Sequence, residues 1–159
     1  NMREETKILN QMLSSGMVVA AQDPTEKFIA PKAKENVPFL NFAPLQNALA
    51  KLQESSKKYQ AATKNMQTST PSQKSLDEIL YKTERNLTRN EGLPRRDWFK
   101  HQIYAPGFYT GYGVKTLPSV REAIEQRDWR EAQEQISIVA KTIEKFAAEI
   151  DKATVLSTK

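Results

Sequence analysis

Residues Gly92–Pro118 read GLPRRDWFKHQIYAPGFYTGYGVKTLP, and the rest of the 159-residue chain is arranged around them. The stretch holds four of the five glycines (Gly92, Gly107, Gly111, Gly113) and six of the thirteen aromatic residues. Glycine reaches positive φ without steric cost, so three glycines between positions 107 and 113 mark a shaped loop. Phe108, Tyr109 and Tyr112 give that loop groups to pack or to present. Sequence on both sides carries helical periodicity. The expectation is an all-α scaffold, one domain over residues 1–159, holding one irregular loop in place; such loops are where function usually sits.

Beyond the loop, Leu117-Pro118 opens a short helix reaching about residue 126. Asp128 caps the last helix, and Glu131 three positions on completes a capping-box pattern. Trp129, Ala132, Ile136, Val139, Ile143, Phe146, Ile150 and Ala153 then recur by threes and fours, a heptad stripe that requires a helical partner. Ile138, Ala147 and Val155 widen it. A helix with so wide an apolar face either sits centrally in its own bundle or faces another chain.

Before the loop, Thr70 as N-cap, Pro71 and Gln73 open a third helix that carries Leu76, Ile79, Leu80, Thr83 and Leu87. It is expected to run to about 89 and to end at Gly92 in the left-handed conformation. A second helix is expected over 42–66, with Asn41 as N-cap and Pro44 in its first turn. Its stripe is Leu45, Leu49, Leu52, Tyr59 and Met66. The polar run at 54–58 interrupts that stripe and predicts a helix more exposed midway. A first helix over 2–22 carries Ile8, Met12, Gly16 and Val19 and stops at Asp23-Pro24. Residues 24–41 hold three prolines and read as an extended surface connector anchored by Phe28 and Phe39.

The formal net charge is +5, with Lys and Arg scattered among Asp and Glu along the helices. That pattern indicates solubility rather than a nucleic-acid footprint. Cysteine is absent, which excludes disulfide and thiolate chemistry. The single histidine, His101, cannot form a His-based metal site alone, and it reads as a structural ring hydrogen-bonded inside the bundle. No apolar run approaches the ~18 residues of a membrane span, so no membrane contact is expected of this domain. No catalytic set stands out. Trp98, Phe99 and Tyr104 read as core anchors for the loop. Tyr112, between Gly111 and Gly113, has an uncrowded phenol able to donate to a carboxylate ligand.

The run Gly92-Leu93-Pro94, Arg96 with an aromatic pair, Lys100-His101, Ile103-Tyr104-Ala105-Pro106 and a glycine-aromatic loop closed by Pro118 resembles the C-terminal helical domain of the glutamate carboxypeptidase (prostate-specific membrane antigen) and transferrin-receptor family. The helix beginning Asn41-Phe-Ala-Pro-Leu and the long last helix fit the same domain. The resemblance implies a four-helix-type bundle that mediates homodimerisation and follows a zinc peptidase domain in the same polypeptide. Both zinc ions and the general base would lie in that upstream domain, with no cofactor and no catalytic residue in this one. The loop 107–116 would reach back to wall the pocket for a peptide substrate. The family's carboxylate-holding tyrosine falls on Tyr112, its lysine falls on Gly111, and Lys115 is the nearest cation that could replace it. The dimer interface would use Trp129, Ile136, Val139, Ile143, Phe146 and Ile150. The start at Asn1 is read as a piece of a larger parent, which by resemblance would be secreted, periplasmic or membrane-anchored. A stand-alone helical interaction module, and a receptor-like scaffold whose upstream domain has lost catalysis, are the alternatives.

Overall fold

A computed structural model describes residues 2–23, 25, 27–64 and 71–158, without the side chains of residues 71 and 72. The expectations for Pro24, Met66 and the Thr68–Thr70 cap lie outside the described residues. The chain forms two compact units, Asn1–Phe39 and Leu40–Lys159.

In the first unit, α1 (Met2–Ser14) is followed by Gly16 at φ 74 and by a single turn of helix, α2 (Met17–Ala20). The continuous helix expected over 2–22 is therefore broken, because Gly16 takes the left-handed conformation that other residues avoid. The segment after α2 is tied to α1 by polar bonds. Asn10 bonds both backbone groups of Lys34, at 2.7 and 3.0 Å, and Arg3 donates to the Pro38 carbonyl at 2.9 Å. The anchoring expected from Phe28 and Phe39 is not seen: Phe28 is exposed and Phe39 is 82% exposed.

The second unit is built on α6 (Trp129–Ser157), against which α3 (Ala43–Thr63), α4 (Pro71–Thr83) and α5 (Pro118–Glu125) each pack. Leu45 and Ala48 of α3, Val120 of α5, and Ile136, Val139, Ala140 and Ile143 of α6 form one buried cluster. Ser55 is also buried. It stands seven residues after Ala48, so the 54–58 run does not open the helix midway. A small hydroxyl residue keeps the heptad spacing there. The start of α3 is fixed by Asn41, whose side chain accepts from the Ala43 amide at 3.0 Å. The Gln133 side chain of α6 bonds both backbone groups of Asn41. Asp128 caps α6 as expected, accepting from the Glu131 amide at 2.9 Å. The Glu131 carboxylate pairs with Arg95 at 2.8 Å.

Between α4 and α5 the chain is more ordered than an irregular loop. Helix α4 ends at Thr83, short of the expected 89, and a 3-10 turn (Glu84–Leu87) follows. Gly92, at φ 69, therefore does not close α4. It sits in a turn where a Cβ would overlap the Asp97 backbone, so only glycine fits. The strands β1 (Tyr104–Pro106) and β2 (Val114–Thr116) then pair antiparallel, with Ala105 opposite Lys115. The fold is thus mostly helical with a two-stranded sheet that the sequence reading did not contain. No helix among the described residues is long and apolar enough to cross a membrane.

His101 stands at the base of this hairpin. Its Nδ1 accepts from the backbone amides of Ile103 and Tyr104, both at 3.2 Å, and its ring lies 3.9 Å from that of Tyr104. Tyr104 in turn donates to Glu84 at 2.8 Å, a bond that raises the phenol's pKa. Burial lowers the His101 pKa below 6.5, with the Glu84 carboxylate opposing in part.

Two measurements follow. Ile136 is fully buried and Leu49 is 44% exposed, although both read as stripe residues. Ile136→Ala should lower the unfolding free energy by about 2–5 kcal/mol, and Leu49→Ala by less than about 1 kcal/mol, in chemical denaturation. The unfolded chain protonates histidine more readily than the folded one. The stability His101 contributes is therefore complete above pH 6.5 and declines as the pH falls through that value. His101→Asn retains an acceptor without a titrating ring. The stability of the native chain relative to this variant should shrink below pH 6.5 and stay flat above it.

Candidate functional site

The hairpin loop from Gly107 to Gly113 is the most exposed ordered feature of the second unit that also carries chemistry. Its form is set by its own backbone: Gly107 N–H donates to Gly113 O at 3.0 Å, and Gly113 N–H to Thr110 O at 3.1 Å. The Thr110 hydroxyl donates to Gly113 O at 3.0 Å. A Cβ on Gly107 would overlap that hydroxyl. Tyr112 protrudes fully, at 102% exposure, with Tyr109 and Val114 also exposed. Phe108 packs edge-on against Tyr109, 4.8 Å between centroids.

Of the three residues assigned to substrate from the sequence, Gly111 and Tyr112 lie together at this open tip. Nothing stands within 4 Å of where a Gly111 side chain would begin. Lys115 is elsewhere. It lies on β2 with its side chain 10% exposed, and its ammonium pairs with Glu125 at 2.6 Å. That amine is engaged by a carboxylate within the chain.

The aromatic residues do not anchor the loop as expected. Trp98 and Tyr104 are exposed and Phe99 is half-buried. Anchoring falls instead to Leu93, which is buried, and to an ion pair that sequence reasoning passed over. Arg96 and Glu122 meet at 2.6 Å with side chains 6% and 4% exposed. Arg96 also donates to the Pro106 carbonyl at 2.5 Å, and Glu122 accepts from the Phe108 amide at 2.7 Å. Arg96 was visible only as a motif member. Glu122 gave no signal beyond a carboxylate on a short helix.

The heptad stripe of α6 divides. Ile136, Val139 and Ile143, expected at a dimer interface, are buried in the core cluster of this chain. Trp129, Phe146 and Ile150 are half-buried. Phe146 and Ile150 line a groove of about 680 Å³ with Leu52 and Tyr59 of α3. A second groove brings Arg85, Arg89, Lys141 and Lys145 together with Glu91, a clustering of cations that scattered sequence positions conceal.

Among the described residues, no group of three or more His, Cys, Asp or Glu side chains could hold a metal ion. The tip offers recognition: a neutral phenol free to donate to an anionic oxygen, on a loop with a fixed base.

A family model for the transferrin receptor-like dimerisation domain matches residues 40–151, starting where the second unit starts. A probable glutamate carboxypeptidase of Arabidopsis thaliana is 38% identical over 77 residues, covering 44% of this chain and 11% of that protein. A probable glutamate carboxypeptidase of Arthroderma benhamiae is 31% identical over 97 residues, covering 61% of this chain and 12% of the other. An inactive zinc metalloprotease of Schizosaccharomyces pombe is 28% identical over 80 residues, covering 50% and 10%. The chain thus spans about a tenth of the length of these relatives. The matched region takes in the core, the hairpin and most of α6, and the chain belongs to the transferrin receptor-like dimerisation domain family.

Proposed function

We propose that this chain is the homodimerising and pocket-completing domain of a glutamate-carboxypeptidase-like zinc metallopeptidase, with no catalytic residue of its own. The observation that carries the pocket role is Tyr112, fully exposed on a loop whose base is buried and ion-paired. A phenol in that position donates a hydrogen bond to the carboxylate of a peptide substrate, while zinc chemistry belongs to an upstream peptidase domain. With Gly111 in the lysine position and Lys115 paired to Glu125, the tip recognises a carboxylate with one neutral donor. Such a site favours a carboxyl-terminal peptide without demanding an acidic terminal side chain.

For self-association, the usable part of the α6 stripe is Trp129, Phe146 and Ile150. The latter two sit in the groove shared with α3, and a second copy would cover that groove across a two-fold axis. A scaffold whose peptidase domain has lost catalysis is the second reading. It is favoured by the relative named an inactive zinc metalloprotease. Zinc content and peptide hydrolysis by the native gene product separate the two.

The test of the pocket role is Tyr112→Phe in that full-length product. A hydrogen bond to a charged group contributes about 1.5–3 kcal/mol, so kcat/KM should fall about tenfold to a hundredfold, with dimer mass and thermal stability unchanged. Unchanged kinetics would remove Tyr112 from the pocket.

A further inference from the structure

Two glutamates on α5, three residues apart, reach the two arms of the hairpin. On the outgoing arm, one oxygen of Glu122 accepts from the Phe108 amide at 2.7 Å, and the other pairs with Arg96 at 2.6 Å. Arg96 completes the clasp by donating to the Pro106 carbonyl at 2.5 Å, with its guanidinium between the rings of Phe99 and Phe108 at 5.5 and 5.3 Å. On the returning arm, Glu125 pairs with Lys115 at 2.6 Å. Helix α5 itself packs on α6 and touches β1, so these carboxylates are referenced to the core. Beyond the Phe108 amide, the bonds among Gly107, Thr110 and Gly113 close on the loop itself, and its outer residues Tyr109 and Tyr112 stand in solvent.

We propose that Glu122 and Glu125, through Arg96 and Lys115, form a two-point mount that sets where the loop presents Tyr112. They are positioning residues and touch no substrate. The arms need separate holds because two short strands of three residues make too few ladder bonds to fix a protruding tip. Charge-assisted hydrogen bonds are about twice as strong as neutral ones, and the outgoing pair is almost fully shielded from water. Arg suits the clasp because its planar fork can donate to a carboxylate and a carbonyl together, which a lysine ammonium does less well. The consequence for substrate rests on the pocket reading above; the mount itself rests on these bonds.

Hydrogen exchange on the full-length gene product tests it. Glu122→Gln should speed exchange of the 107–116 amides by about tenfold or more, and Glu125→Gln, at a half-exposed site, by about threefold, while α6 amides from 136 to 143 stay protected. Arg96→Lys keeps the charge without the fork and should fall between native and Glu122→Gln. Should Glu122→Gln fail to fold, Glu125→Gln and Arg96→Lys carry the test. In an active parent the same variants should raise KM with kcat held, a split that general destabilisation does not give. Hairpin exchange that stays at the native rate, or that rises equally in α6, overturns the mount. A loosened hairpin with unchanged KM upholds the mount and overturns the pocket reading instead.

Discussion

The apolar stripe of α6 runs along a 29-residue helix, and its burial is the interaction on which the other elements of the second unit depend. Helices α3, α4 and α5 all pack principally on α6. Small residues are buried on both helices, Ala48 and Ser55 on α3 and Ala132, Ala140 and Ala147 on α6, and Ala48 and Ala140 share one core cluster. The apolar surface removed in this way drives the assembly, at roughly 25 cal/mol per Å². Where α3 and α6 stop matching, around Phe146 and Ile150, the stripe opens into a groove. Ala147 and Ala153 stay buried beyond that point, so α6 keeps a core side along its length while Phe146 and Ile150 face the groove.

The buried Arg96–Glu122 pair has a different character. Removing two charges from water costs several kcal/mol per ion, and their attraction repays this only when the remaining hydrogen-bonding positions are filled. Here the Pro106 carbonyl and the Phe108 amide supply further partners, but the Arg96 Nε is buried without one. A leucine pair of similar volume could fill the space, but it would leave that carbonyl and amide without partners. The ion pair is therefore better understood as specifying one conformation of the hairpin than as adding to overall stability.

Much of this was legible in the sequence where a local rule and the tertiary structure agree. The Asp128 cap, the start of α5 at Pro118 and the α6 periodicity were all visible. The failures have several causes, some local and some set by a partner far along the chain. Ser55 looked like a gap because polarity was read without size. Gly16 looked like a stripe member because spacing was read without φ. The hairpin was missed because its strands are three residues long, below the length at which alternation is recognisable. Lys115 looked like a spare cation until α5 folded Glu125 against it. Trp98 looked like a core residue because large aromatic side chains usually are. The exposure of Tyr112 could be read from its flanking glycines, whereas the burial of Glu122 could not be read from anything near it in the chain.

Gly111 illustrates a wider property of this architecture. Its φ of 58 suits glycine, yet the space around it is empty, so a side chain there would meet only a modest backbone penalty of about 1–2 kcal/mol and no collision. The ion pairs that hold the hairpin lie outside residues 109–112, and Gly111 and Tyr112 stand clear of them. Composition at these two positions is thus little coupled to folding. A lineage carrying this domain could exchange what positions 111 and 112 display, one residue at a time, without any change in how the domain is built.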